Sequence, residues 1–146
     1  MTAPTTVSAP CDLTLLQATE AIRTRVLSPV ELLQSTLGRI EATEPALHAY
    51  VVVDTDRAMA AARQAEAASA SGENVGALHG APLAVKDIFD LAGVPTRCGS
   101  RVRENAPPAA EDAISVARAR HAGAVFTGKT VTQEFAAGVI SVPARN

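Results

Sequence analysis

A chain of 146 residues is long enough for one domain with a real core, and 47% hydrophobic residues supply the material for it. Aromatics are only 3% and alanine about a fifth, so Val, Leu, Ile and closely approaching small-residue helices must fill that core, in an α/β or α-rich domain. A formal net charge of −2 excludes a broadly basic surface, so no nucleic-acid or acidic-membrane partner is expected.

Residues 1–11, rich in Thr, Pro and Ala, read as a flexible N-terminal tail, and 12–146 as the domain. The opening "MTAPTTVSAP" has no basic n-region followed by an apolar run, and no stretch reaches the roughly 20 apolar residues of a membrane span. A cytoplasmic setting is therefore expected. "DLTLLQATEAIRTR" is helical in pattern, with Leu13, Leu16 and Ile22 as its inner face. "SPVELLQSTLGRIE" is the clearest helix start. Ser28 suits the N-cap, Pro29 the first helical position, and Glu31 completes a capping box. Val30, Leu33, Leu37 and Ile40 form one apolar stripe, and Pro45 should close the segment.

"ALHAYVVVD" predicts a strand through its valines, and an Ala-rich helix follows over about 55–70 with "SASGEN" as its exit. "PLAVKDIFDL" begins as a short buried strand, while "GVPTRCGS" and "ENAPPAAED" are loops. Asp112 can cap a helix reaching about Arg120, and Gly123 stands where a helix end wants a left-handed residue. "AVFTGK" predicts a strand and "TQEFAA" the first turn of another helix. Helices followed by alternating strands and helices argue for an α/β layer architecture.

Gly123 to Thr130, "GAVFTGKT", fits the phosphate-loop pattern G-x-x-x-x-G-K-[ST]. Such a loop needs a strand before its first glycine and accessible amides at the variable positions. Here a helix end precedes, and Ala124, Val125, Phe126 and Thr127 suit a buried strand, so helix, stop, strand and turn is the better reading. The cysteines, Cys11 and Cys98, and the histidines, His48, His79 and His121, form no metal-ligand spacing. Lys86 and Lys129 are the only lysines.

"GALHGAPLAVKDIFDLAGVPTRCGS" carries hydrophobic-His-Gly-x-Pro-hydrophobic-x-Val-Lys-Asp, then Gly-x-Pro-Thr and Gly-Ser, from Leu78 to Ser100. It resembles the amidase signature family of serine hydrolases. "SPVELLQSTLGRIEATEPALHAYV" and "DAISVARARHAGAVFTGKTVTQEFA" extend the likeness over about residues 12–146. The resemblance implies the N-terminal part of an α/β/α fold with a mixed central sheet flanked by helices. It also implies a catalytic triad of serine, a second serine in a cis peptide, and a lysine matching Lys86. The family's two serines stand in a segment like "GGSSGGSA" after Arg-Asn-Pro. This chain stops at "ARN", so both serines would lie beyond Asn146, and it reads as truncated and inactive alone.

Implied with this is a small-molecule amide substrate cleaved to acid and ammonia or amine, with no metal or cofactor. Oligomeric state stays open, a homo-oligomer included. Phe135 and Ala136 match a stretch that lines the family's substrate pocket. A lysine can accept a serine proton only when uncharged, and burial lowers its pKa from about 10.4 by up to about 3–5 units. Leu83, Val85, Ile88, Phe89 and Leu91 offer Lys86 apolar surroundings, and strand alternation puts Ala84 beside it. The residues alone favour a surface pair of Lys86 with Asp87 or Asp90, because lysines are rarely buried; the resemblance reverses that preference.

Lys129 is expected in a structural ion pair or a helix-end contact, Asp87 holding local backbone, His79 bonding a loop carbonyl, and Ser100 in a turn or capping role. Arg97, Arg101 and Arg103 read as a solvated basic face. Alternatives to the amidase are an amidotransferase A-type subunit delivering ammonia, a nucleotide-binding module through Gly123–Thr130, and a non-catalytic remnant. The short "AAGVISVPARN" favours the plain amidase over the amidotransferase component.

Overall fold

The Ser28 hydroxyl accepts the Glu31 N–H and the Glu31 carboxylate accepts the Ser28 N–H, so both halves of the predicted capping box are made. They start α2, Pro29–Leu47, in the computed structural model, which describes residues 9–71 and 76–138. The other elements are α1 Leu15–Arg23, β1 Tyr50–Val53, α3 Thr55–Ser71, β2 Pro82–Lys86, α4 Ile114–His121 and β3 Val125–Thr130. The predicted tail lies mostly outside the described residues. Its end does not: Pro10–Asp12 forms a 3₁₀ turn held to α2 by the Cys11 N–H on Ser35 Oγ and by Asp12 pairing with Arg39.

Among the described residues three strands form one sheet in the order β1-β3-β2, with β3 antiparallel to β1 and parallel to β2. Successive β3 side chains point to opposite faces. Val125 packs with Leu33 of α2 and with Ala58 and Ala62 of α3, whose small side chains let the two helices approach closely. Phe126 packs with Val85, Leu91, Val94 and Val116 on the face that α4 covers. A mixed sheet with helices on both faces is the predicted α/β/α layering. Gly128 is required where β3 crosses β1. Its φ of 146° lies in the region side chains avoid, and a Cβ would collide with the Val52 carbonyl. No helix among the described residues is long and apolar enough to cross a membrane.

Several local expectations are corrected. In α1 the buried residues are Ala18 and Ile22, while Leu16 is 81% exposed. α2 runs through Pro45 to Leu47, with Pro45 inside its last turn. There His48 turns left-handed, and the Glu44 carboxylate takes the N–H groups of Ala49 and Tyr50. α3 continues through Ser71, and the rest of the predicted exit loop lies outside the described residues. Asp112 does not cap α4; its carboxylate is taken by the Ala92 N–H and Arg120, and the N-cap is Ala113. The "EFA" stretch is a 3₁₀ turn, with Phe135 and Ala136 at φ 48° and 59°.

Candidate active site

β2 and β3 run in the same direction and end side by side, with Lys86 paired to Thr130. The carboxyl ends of parallel strands are where open α/β sheets hold ligands. Just past them the chain is fastened tightly. The Asp87 N–H donates to the Thr130 carbonyl at 2.9 Å, and the Ile88 and Phe89 N–H groups donate to the Lys86 carbonyl at 2.7 and 3.0 Å. The Cys98 N–H then donates to the Asp87 carbonyl at 3.0 Å, and the Phe135 N–H to the Cys98 carbonyl at 2.8 Å. Two backbone hydrogen bonds thus join the end of β2 to the Phe135 turn. Cys98, Phe135 and Ala136 all have positive φ without being glycine, which is a concentration of strain of the kind found at functional sites.

Alternation splits Lys86 from its neighbours. Val85 and Asp87 are buried, whereas Ala84 and Lys86 are exposed. The apolar niche expected around Lys86 is therefore not built by the described residues. Val85 and Leu91, counted on to line it, pack on the opposite face with Phe126 and Val116, and Leu83 packs against that same cluster. Phe89 is 41% exposed. β2 as a whole is a half-exposed edge strand, not a buried one. The predicted sharing of a face by Ala84 and Lys86 is observed, and that face is open. Neither Asp87 nor Asp90 pairs with Lys86 among the ion pairs of the described residues.

The buried lysine is the other one. Lys129 and Asp87 are 0% and 1% exposed and meet at 2.7 Å. Lys129 Nζ also donates to Thr96 Oγ1 at 2.6 Å and to the Pro95 carbonyl at 3.1 Å, so each ammonium proton has an acceptor. The Asp87 carboxylate in turn accepts the Arg97 N–H at 3.3 Å. Such completeness is what a dehydrated ion pair needs, and removing one partner costs about 3–5 kcal/mol. The structural roles expected for Lys129 and Asp87 are both present. Sequence reasoning missed Thr96 and Cys98; a threonine or cysteine in a Pro/Gly loop carries no signal of a distant partner.

Ser100 Oγ accepts the Val102 N–H and donates to the Glu134 carboxylate at 2.6 Å, the predicted turn cap. His79 Nε2 lies 2.9 Å from the Ala65 carbonyl, which belongs to α3 and not to a loop, and 2.9 Å from Ser69 Oγ. Arg97, Arg101 and Arg103 are exposed. Arg97 and Arg101 share a depression of about 350 Å³ with Asp87 and Glu104. Phe135 is 54% exposed beside the strand ends, and Ala136 is half-buried.

The phosphate-loop alternative fails on geometry. The Gly123, Ala124 and Val125 N–H groups are spent on the carbonyls of Arg120, Ala119 and Ala81, and the remaining positions form the central strand. Lys129, which would have to reach a phosphate, is sealed in its ion pair.

The family model described as "Amidase" matches residues 31–143. A glutamyl-tRNA(Gln) amidotransferase A-type subunit from Acidothermus cellulolyticus is 44% identical over 126 residues, covering 86% of this chain and 25% of that protein. An amidase from Pseudomonas putida is 44% identical over 134 residues, covering 92% of this chain and 28% of its own length. The solved native peptide amidase of Stenotrophomonas maltophilia superposes with a TM-score of 0.78 at 32% identity, over 88% of this chain and 26% of that one. The chain spans about a quarter of the length of the curated relatives it matches. Its helix-flanked mixed sheet is accordingly part of the amidase-signature fold, and the chain belongs to the amidase family.

Proposed function

We propose that the full-length protein hydrolyses a carboxamide to a carboxylic acid and ammonia or an amine, with Lys86 as the general base. The amine at 86 takes a proton from a serine nucleophile through a second, bridging serine; the acyl-enzyme is then released by water. The 146 residues contain no Gly-Gly-Ser-Ser-Gly-Gly-Ser segment, so the hydroxyls and the backbone oxyanion donors would come from elsewhere in the protein. The observation that carries this reading is the family match over residues 31–143, which contains the motif ending in Lys86 and Asp87. Lys86 is the last residue of β2 and is exposed among the described residues, so the desolvation that keeps its amine neutral has to come from the rest of the protein. Phe135 and Ala136 are assigned to the substrate wall because their positive-φ turn is hydrogen-bonded, through Cys98, to the residue that follows β2. The substrate is a small amide, and the setting cytoplasmic.

Lys86→Ala in the full-length protein should lower kcat/KM for amides by about 10³-fold, within the range for loss of a general base. Its circular dichroism and melting temperature should stay near those of the parent, because the side chain is exposed in this part of the structure. Near-normal turnover by a folded Lys86→Ala variant overturns the assignment.

A second reading follows from the relatives named as A-type components of a glutamyl-tRNA(Gln) amidotransferase, 44% and 46% identical to this chain. In it the same base releases ammonia for a partner protein. Hydrolysis of a small carboxamide by the protein alone supports the first reading; turnover only with an added partner supports the second.

A further inference from the structure

Asp87 has no polar group left free. Its N–H is on Thr130, its carbonyl on Cys98, and its carboxylate on Lys129 and the Arg97 N–H. The Lys129 ammonium is a tripod with one leg on Asp87, one on Thr96 and one on the Pro95 carbonyl. It therefore ties together the end of β3, the residue after β2, and the loop that leads to Cys98. Asp87, in the turn that directly follows β2, is buried where Lys86 is exposed, so a buried anchor holds the chain one residue beyond the exposed Lys86.

We propose that the Lys129–Asp87–Thr96 cluster is the positioning device of the active site, fixing the direction in which Lys86 leaves the sheet and, through Cys98, the place of the Phe135 turn. The proposal rests on the amidase reading for its catalytic consequence but not for its mechanical one. A hydrophobic core alone would hold the strands together. It would not set the angle of the loop, because apolar packing is non-directional whereas three hydrogen bonds from one tetrahedral ammonium are not. A base displaced by about 1 Å forfeits up to about 10²-fold in rate.

The test uses the full-length protein. Thr96→Val removes one leg of the tripod while keeping shape, and Thr96→Ser restores the hydroxyl. Thr96→Val should cut kcat by about 10- to 100-fold with KM changed less than about 2-fold, and Thr96→Ser should recover most of the loss. Native-state hydrogen exchange supplies the reading independent of turnover. In the parent, the Asp87, Cys98 and Phe135 amides should open with one common protection factor, and Thr96→Val should speed all three together while leaving those of α2 unchanged. Exchange that is uncoupled among the three amides in the parent overturns the proposal, and so does a folded Thr96→Val variant with parental kcat. Should Thr96→Val not fold, the parent exchange pattern decides. A parent that cleaves no amide defeats the amidase reading instead, and exchange alone then decides whether the cluster is a clamp.

Discussion

At Asp112 the carboxylate accepts from Arg120 Nε at 2.6 Å and from the Ala92 N–H at 2.8 Å, with the Asp112 side chain only 10% exposed. The Arg120 hydrogen bond, reinforced by the Ala92 N–H and the charges of Arg120 and Arg57, outweighs desolvation and holds this carboxyl below its ordinary range. A carboxyl lowered in the folded state adds stability that is complete above its unfolded pKa of about 3.9 and fades as pH falls through the lower folded value. The parent should therefore melt higher than Asp112→Asn at pH 6, and the gap should narrow toward pH 2–3; a gap independent of pH removes this account. Asparagine can keep the Ala92 acceptor but loses the oxygen that accepts from Arg120 Nε, so the pH dependence of the gap, and not its size, reports the charge. The two lysines show the same competition for partners. Lys129 found three buried acceptors and was enclosed by them, whereas Lys86, one position before Asp87, was left facing outward.

Elements whose boundaries are written in adjacent residues were readable. Ser28, Pro29 and Glu31 lie within four positions of one another and make the predicted cap without help from the rest of the chain. Ser28→Ala should destabilise the protein by about 1 kcal/mol, seen as a lower denaturant midpoint with an unchanged slope. Gly123 likewise adopts its predicted left-handed turn, at φ 93°. Elements decided by what they touch were not readable. In α1 the small Ala18, not Leu16, meets Ile22 and Leu32, because the face is chosen by the neighbouring helix and not by side-chain size. Asp112 has the chemistry of a cap but was drawn off by Arg120 and Ala92, which are distant in sequence or across a turn. "EFAA" has helical composition, yet Phe135 is pulled out of helical geometry by the Cys98 carbonyl.

For the whole molecule, the sheet order excludes one activity and leaves another in place. β3 is central, hydrogen-bonded on both sides, so the Gly123–Thr130 pattern has no amides to offer a phosphate. Equilibrium dialysis with magnesium-ATP should give no saturable binding, and binding lost in Lys129→Ala would contradict that. The order of elements was enough to indicate the α/β layering, because periodicity and caps are local properties of the chain. The motif from Leu78 to Ser100 indicated the family, whose resemblance, and not the residues alone, pointed to Lys86. What only the tertiary structure decided was which lysine is dehydrated and which is open. It also placed β2 at an edge and joined Asp87 to Phe135 through Cys98. Burial and hydrogen-bond partnership depend on segments about 30 to 50 residues apart meeting in space, and such meetings are set by packing of the whole rather than by any stretch of the chain.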